Sequence, residues 1–214
     1  MENRAIRLGD FKDNTGKYVN PNYYGKTINK LKNTITFFLI PGRLSIKDLS
    51  ELFALLKTIF NEGMDFNITI AGYNRDNFNI ESLKIPEEIK ERVKIKTNLN
   101  FEEFYKEVEN SDFILPVLEN VDRYGYLKNQ VSGNINLCYG FLKPIVIEKS
   151  YRKLYKFNNS NSILYEFGKL YDAIKVAILT NQKEYSVLQK NLKITVEKIR
   201  GESMNNLKNI LCVK

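Results

Sequence analysis

The chain has 214 residues, 43% hydrophobic and 27% charged, with a formal net charge of +8, an ordinary balance for a globular domain. It has no histidine and only two cysteines, which excludes a histidine general base, a Ser-His or Cys-His nucleophile and most zinc sites. No apolar run approaches the roughly 20 residues of a membrane helix, and no apolar core follows Met1-Glu2-Asn3-Arg4, so a cytoplasmic setting without a signal peptide is expected.

The charge sits at the ends. Residues 1–34 and residues 183–214 each carry seven Lys or Arg and three acids, and the stretch between them is neutral. A nucleic-acid binder would carry a basic stripe with aromatics on its folded body, so no nucleic-acid partner is expected. Basic termini fit solvated arms, an anionic membrane surface at the inner face of a membrane, or an acidic partner.

Residues 1–33, rich in Asn, Gly, Tyr and Lys without a period, read as an arm or linker. Thr34–Ile40 is a β-branched and aromatic run, expected as a strand buried on both faces. Pro41-Gly42-Arg43-Leu44 reads as a turn, and Ser45 with Asp48 as a helix cap. Leu49, Leu52, Phe53, Leu56, Ile59 and Phe60 follow at helical spacing, and Gly63 is a stop. A second strand, Phe66–Ala71, ends at Gly72. A loop over 73–86 leads to a short strand at Val93–Lys96. Asn100 with Glu103 caps a helix over Phe101, Phe104, Tyr105 and Val108, and Asp112–Val117 is a fourth strand.

After a polar loop at 118–131, Ser132-Gly133 opens a helix whose free amides and positive dipole end suit a phosphate. Ser132, Gly133 and Asn134 are the candidate cradle, and Tyr124, Tyr126 and Lys128 precede it. Lys143 reads as a surface turn residue before a fifth strand, Ile145–Ile147. Glu148 lies just past that strand, toward the ligand edge, where a carboxylate can accept hydroxyl hydrogen bonds. Ile163–Tyr165 is a sixth short strand. Two helical stripes close the chain: Leu170, Ile174, Ala177, Ile178, then Tyr185, Leu188, Leu192, Val196, Ile199. Gly201 reads as a break. Cys138 and Cys212 lie in apolar helical patterns and read as buried thiols.

Strands alternating with helices imply an α/β fold, a Rossmann-like, mostly parallel sheet of five or six strands with added C-terminal helices. The expected divisions are an arm at 1–33, a sheet domain at 34–170 and helices at 171–214. Ligands of such sheets sit outside the strands' carboxyl ends. Arg43 and Lys47, at the first strand-to-helix junction, can neutralise a diphosphate there, and Gly72 lets a ligand approach the backbone. No G-x-G-x-x-G follows the first strand and no P-loop is present. No metal-ligand cluster is visible, so neither a metal nor a cofactor is expected.

In order, Phe38-Leu39-Ile40-Pro41-Gly42-Arg43 with Lys47, Ile68-Thr69-Ile70-Ala71-Gly72, Phe101-Glu102-Glu103-Phe104-Tyr105 with Ser111–Pro116, and Ser132-Gly133 with Gly140–Val146 resemble the C-terminal, donor-nucleotide half of a GT-B glycosyltransferase of the bacterial polysaccharide and lipopolysaccharide type. The tail from Glu184 to Leu207 is similar to that family's closing helices, and Asn20–Gly25 to its linker. The resemblance implies transfer of a sugar from a nucleotide-diphospho-sugar to a glycan or lipid-linked acceptor, without a metal. It places Arg43 and Lys47 on the diphosphate, the residues from Asn98 to Phe101 near the base, and Ser132, Gly133 and Asn134 on phosphate or sugar.

Two departures stand out. The family's spaced Glu pair corresponds to Asn129 and Leu137, so the ribose carboxylate is missing. The acceptor half is missing as well, and no catalytic residue is nameable. The alternative is a non-catalytic nucleotide-sugar-binding or partner-binding module of the same fold. Without the other half, part of the Tyr185–Ile199 stripe is expected to be exposed, or covered by a second copy or a partner chain.

Overall fold

The computed structural model describes residues 31–43, 46–73, 83–117 and 132–211, with the backbone alone at 43, 46–48, 73 and 210. The arm before residue 31, the Ser45 cap, Tyr124, Tyr126, Lys128, Asn129 and Cys212 lie outside the described residues, as do the side chains of Arg43 and Lys47.

The elements alternate as the pattern requires: β1 (Thr36–Arg43), α1 (Ile46–Asn61), β2 (Phe66–Tyr73), β3 (Val93–Thr97), α2 (Phe101–Asn110), β4 (Phe113–Ile114), α3 (Gly133–Phe141), β5 (Val146–Glu148), β6 (Ile163–Tyr165), α4 (Leu170–Leu179) and α5 (Gln182–Leu211). A 3-10 turn over Glu87–Arg92 leads into β3. One sheet has the order β3-β2-β1-β4 and a second pairs β5 with β6, all in parallel. A parallel bridge between Ile114 and Ile145 joins the two, so the strands follow the order 3-2-1-4-5-6 of a Rossmann-like sheet. Strand order reverses between β1 and β4.

Both faces of the sheet are covered, which explains why β1 reads as a continuous apolar run. Phe38, Ile40, Ile68 and Ile70 pack with α1 and α4 residues such as Phe53, Leu56 and Ile174. Leu39, Ala71 and Ile114 pack with α3 and α5 residues such as Tyr139, Leu192 and Ile199. The alternation along each strand thus sends successive side chains into two cores.

Several expectations change. β1 runs on through Pro41, Gly42 and Arg43, paired in register with Ala71, Gly72 and Tyr73, where the dipeptide Pro-Gly suggested a turn. Gly201 does not break α5, which continues for 30 residues. A solvent-side glycine costs a helix only about 1 kcal/mol, and the packing of the inner face outweighs it.

The tail stripe is the largest correction. Tyr185, Leu192 and Ile199 are fully buried, and Leu188 and Val196 are 9% and 8% exposed. The helix lies along its own domain. The Tyr185 ring meets Phe113 edge-on at 5.4 Å, its hydroxyl donates to the Asp112 carbonyl oxygen at 2.8 Å, and Gln189 Nε2 donates to the Leu142 carbonyl at 3.1 Å.

Lys143 is also not a surface residue: it is 2% exposed. Its Nζ donates to the carbonyls of Glu109 and Ser111, both at 2.7 Å. A cation there closes the carbonyl end of α2 and complements its dipole.

Candidate functional site

At the carboxyl end of the sheet four elements converge almost without side chains between them. Gly42, near the end of β1, has φ +114, a region that L side chains rarely adopt. Its carbonyl oxygen lies so close over Gly72 of β2 that a Cβ on Gly72 would stand 1.7 Å from it. Gly72 is therefore a glycine for space. Its own carbonyl accepts from the Asn98 amide at 3.3 Å, and Asn98 holds a left-handed φ of 56°, a conformation that Asn tolerates better than most residues. The ends of β1, β2 and the β3–α2 loop are thus stitched together by backbone.

The fourth element is the start of α3. Asn134 Nδ2 donates to the Pro41 carbonyl at 2.8 Å and would lie 2.4 Å from a Cβ on Gly42. This bond latches the helix start to β1 across the point where strand order reverses, the place such sheets use for ligands. The latch predicts that Asn134→Ala lowers unfolding free energy by about 1 kcal/mol, read from the midpoint of a urea titration. Asn134→Asp should lose more, because a carboxylate would then face the Pro41 carbonyl oxygen.

Ser132 caps α3 with its Oγ accepting from the Ile135 amide at 3.4 Å, and its own amide donates to the Tyr155 hydroxyl at 3.2 Å. Tyr155 is held in turn by the Tyr139 hydroxyl, which donates to its carbonyl. Tyr139 is fully buried, and burial pushes its hydroxyl well above the ordinary phenol value, so it remains a donor. With Ser132 and Ile135 engaged, the Gly133 and Asn134 amides are the open donors of this helix start among the described residues. Gly133 is exposed, and a Cβ added there would meet nothing within 4 Å, so an incoming group has room.

The other residues singled out from sequence fall as follows. Asn98 lies at the same end of the sheet. Glu148 ends β5 on that side but is 5% exposed, and its carboxylate accepts from the Ser150 amide at 3.0 Å and from the Ser150 hydroxyl. It caps the following 3-10 turn. The backbones of Arg43 and Lys47 flank the β1–α1 connection. Leu137, where the resemblance implies a carboxylate, packs in the core at 8% exposure. Cys138 is buried, and desolvation raises its thiol well above the usual range, which leaves it unreactive.

Phe101, which the resemblance places near the base, opens α2 and is 79% exposed, its ring 6.0 Å from Tyr105. As the first helical residue after the Asn100 cap it projects beyond the packed turn. Its position immediately after a capping residue was the sequence signal for that exposure.

A separate groove of about 1140 Å³ runs between β6, α4 and the first turns of α5. In its lining Lys149 pairs with Glu166 at 2.5 Å. Among the described residues no group of acidic or cysteine side chains could hold a metal ion, and no helix is long and apolar enough to cross a membrane.

No family model matches the chain, and no curated protein matches its sequence. Solved structures match its fold. The C-terminal domain of a glycosyl transferase group 1 family protein (LpcC) from Francisella tularensis superposes with a TM-score of 0.58 at 11% identity, covering 82% of this chain and 94% of that one. A variant of S. aureus TarM in complex with Fondaparinux, alpha-GlcNAc-glycerol and UDP gives 0.58 at 15% identity, over 86% of this chain and 38% of that one. The Glycosylation Associate Protein (Gap123) complex from Streptococcus agalactiae gives 0.53 at 16%, over 92% and 40%. The fold is therefore that of the C-terminal half of GT-B glycosyltransferases. The chain spans less than half the length of the TarM and Gap123 chains it matches.

Proposed function

We propose that the chain is the donor-nucleotide half of a glycosyltransferase, which holds a nucleotide-diphospho-sugar for transfer to a glycan or lipid-linked acceptor. One observation carries the reading: the open amides of Gly133 and Asn134, with free space at Gly133, held over the end of β1 by the Asn134–Pro41 bond. A diphosphate needs backbone donors and close approach, and this helix start offers both. Arg43 and Lys47, whose backbones flank the β1–α1 connection, are the bases that would neutralise the diphosphate. The exposed Phe101 ring, next to Asn98, offers a face on which a base stacks. In this reading the domain supplies binding and orientation for the donor, and the acceptor supplies the attacking hydroxyl. The UDP in the TarM complex supports a nucleotide ligand for this fold.

A second reading is favoured by Leu137. A buried leucine stands where the resemblance implies a ribose-binding carboxylate, which fits a nucleotide-sugar-binding or partner-binding module without catalysis. The Gap123 match is to a chain from a complex.

Thermal unfolding with UDP, GDP, dTDP and CMP at millimolar concentration, with and without attached sugars, tests binding. One nucleotide should raise the melting temperature by about 3 °C or more, and Arg43→Ala should shrink that shift to near zero. Unchanged melting with all four ligands defeats the donor reading. A shift retained by Arg43→Ala removes Arg43 from the site. Turnover of the sugar nucleotide in a mixture with the acceptor half separates the enzyme from the non-catalytic module.

A further inference from the structure

The outer face of α5 carries a charge pattern that the sequence alone conceals. Opposite the buried line Tyr185, Leu188, Leu192, Val196, Ile199, a second line runs through Lys183, Val187, Lys190, Ile194, Gly201 and Lys208 at spacings of 4, 3, 4, 7 and 7 residues. Lys193, Lys198 and Arg200 flank it, and all six bases are exposed. The helix also holds three acids, but two are engaged elsewhere. Glu184 folds back to accept from the Asn181 amide at 2.9 Å as a cap, and Glu202 pairs with Lys156 at 3.0 Å. Within the helix that leaves Glu197 against six bases, while Glu166 and Asp172 line the groove that Lys183 and Val187 share at its first turns. Val187, Ile194 and Met204 are 49%, 56% and 48% exposed on the same side.

We infer that this face docks the protein on an anionic lipid bilayer surface. A helix of 30 residues presents a straight edge about 45 Å long. Five of its six bases are lysines, compact point charges that suit lipid phosphates without demanding fixed geometry. Val187 and Ile194, set between the lysines, can enter the headgroup region as those of interfacial helices do. A single-stranded nucleic acid would call for stacking aromatics, and the one aromatic of α5, Tyr185, is fully buried. A second protein domain would need an apolar stripe, and the apolar stripe of α5 is already spent on its own sheet. The inference does not depend on nucleotide binding.

Sedimentation of the full chain with vesicles tests it. Wild type should bind phosphatidylcholine vesicles containing about one-third phosphatidylglycerol and stay in solution with pure phosphatidylcholine. The variant Lys190→Glu, Lys193→Glu, Lys198→Glu should lose more than about a hundredfold in partitioning, since each basic residue contributes about fivefold. Its melting temperature should match wild type, and the Lys→Gln set at the same positions provides the folded control should reversal disturb the helix. Val187→Ser with Ile194→Ser should weaken partitioning further at raised salt, where charge is screened. The inference is overturned by equal binding to neutral and anionic vesicles, by no binding to either, by unchanged partitioning of the serine pair, or by preference for an oligonucleotide over the vesicles at the same salt.

Discussion

Gly72→Ala is expected to destabilise the fold by about 3 kcal/mol or more and to abolish nucleotide binding in whatever fraction remains folded. The added methyl would stand 1.7 Å from the Gly42 carbonyl oxygen and 2.8 Å from its carbon. Both are backbone atoms of β1, so no rotamer relieves the clash. β1 is paired on both sides, to β2 through the full register from Thr36 to Arg43 and to β4 at Phe38 and Leu39. Moving its end away from β2 therefore pulls on the centre of the sheet. It also displaces Pro41, whose carbonyl receives the Asn134 latch, so the start of α3 loses its fixed position over the site. Urea unfolding measures the first effect, as a lowered midpoint at unchanged slope. Titration with the nucleotide that stabilises wild type measures the second. A variant within about 0.5 kcal/mol of wild type that still binds would show that the two strand ends are looser than this geometry.

The strands were legible because two cores draw apolar residues from both faces of the central strands. Thr36–Ile40 and Phe66–Ala71 carry β-branched and aromatic runs that fit no other element. The Asn100–Glu103 capping box was legible too, since both partners lie within one turn. What stayed hidden is what depends on distant partners. Pro41-Gly42 reads as punctuation, yet the strand continues because the carbonyl of Gly42 finds room over a glycine thirty residues later. Lys143 reads as solvated, yet Glu109 and Ser111 supply two carbonyls that offset its burial. The α5 stripe was expected to lack cover because the relatives implied by the resemblance have a second half, and its partners proved to be Phe113, Leu142 and the sheet of this domain. Within the candidate site, residue types pointed to Gly72 and to the Ser132 helix start. The Asn134–Pro41 bond required the fold itself, because nothing local links residues 93 positions apart.

Asp112→Ala should cost about 3 kcal/mol or more of unfolding free energy while leaving nucleotide affinity of the folded protein unchanged. Asp112 is fully buried at the amino end of β4, the edge of the sheet opposite the site. Its Oδ1 accepts from the Asn33 amide at 3.0 Å and its Oδ2 from the Phe37 amide at 2.8 Å, while Asn33 Nδ2 bridges both oxygens at 3.1 and 3.0 Å. Its backbone completes the junction: the amide donates to the Phe37 carbonyl at 2.7 Å, and the carbonyl accepts from Tyr185. One carboxylate thus fixes the entry of the chain into β1 beside β4 and α5. Truncation strands the Phe37 amide beneath the sheet edge, whereas the exposed Asn33 donors return to water, and an unmade buried bond to a charged acceptor costs more than an ordinary hydrogen bond contributes. Asp112→Asn keeps the shape but turns an NH2 group toward those donors, so it should recover less than half of the loss. Urea midpoints of the two variants give the stability change, and nucleotide titration at low urea gives the affinity. A loss below about 1 kcal/mol for the alanine variant would show that water replaces the carboxylate at this edge. A matching loss of affinity would show instead that the two ends of the sheet are coupled through β1, which the geometry of the Gly42–Gly72 contact alone does not require.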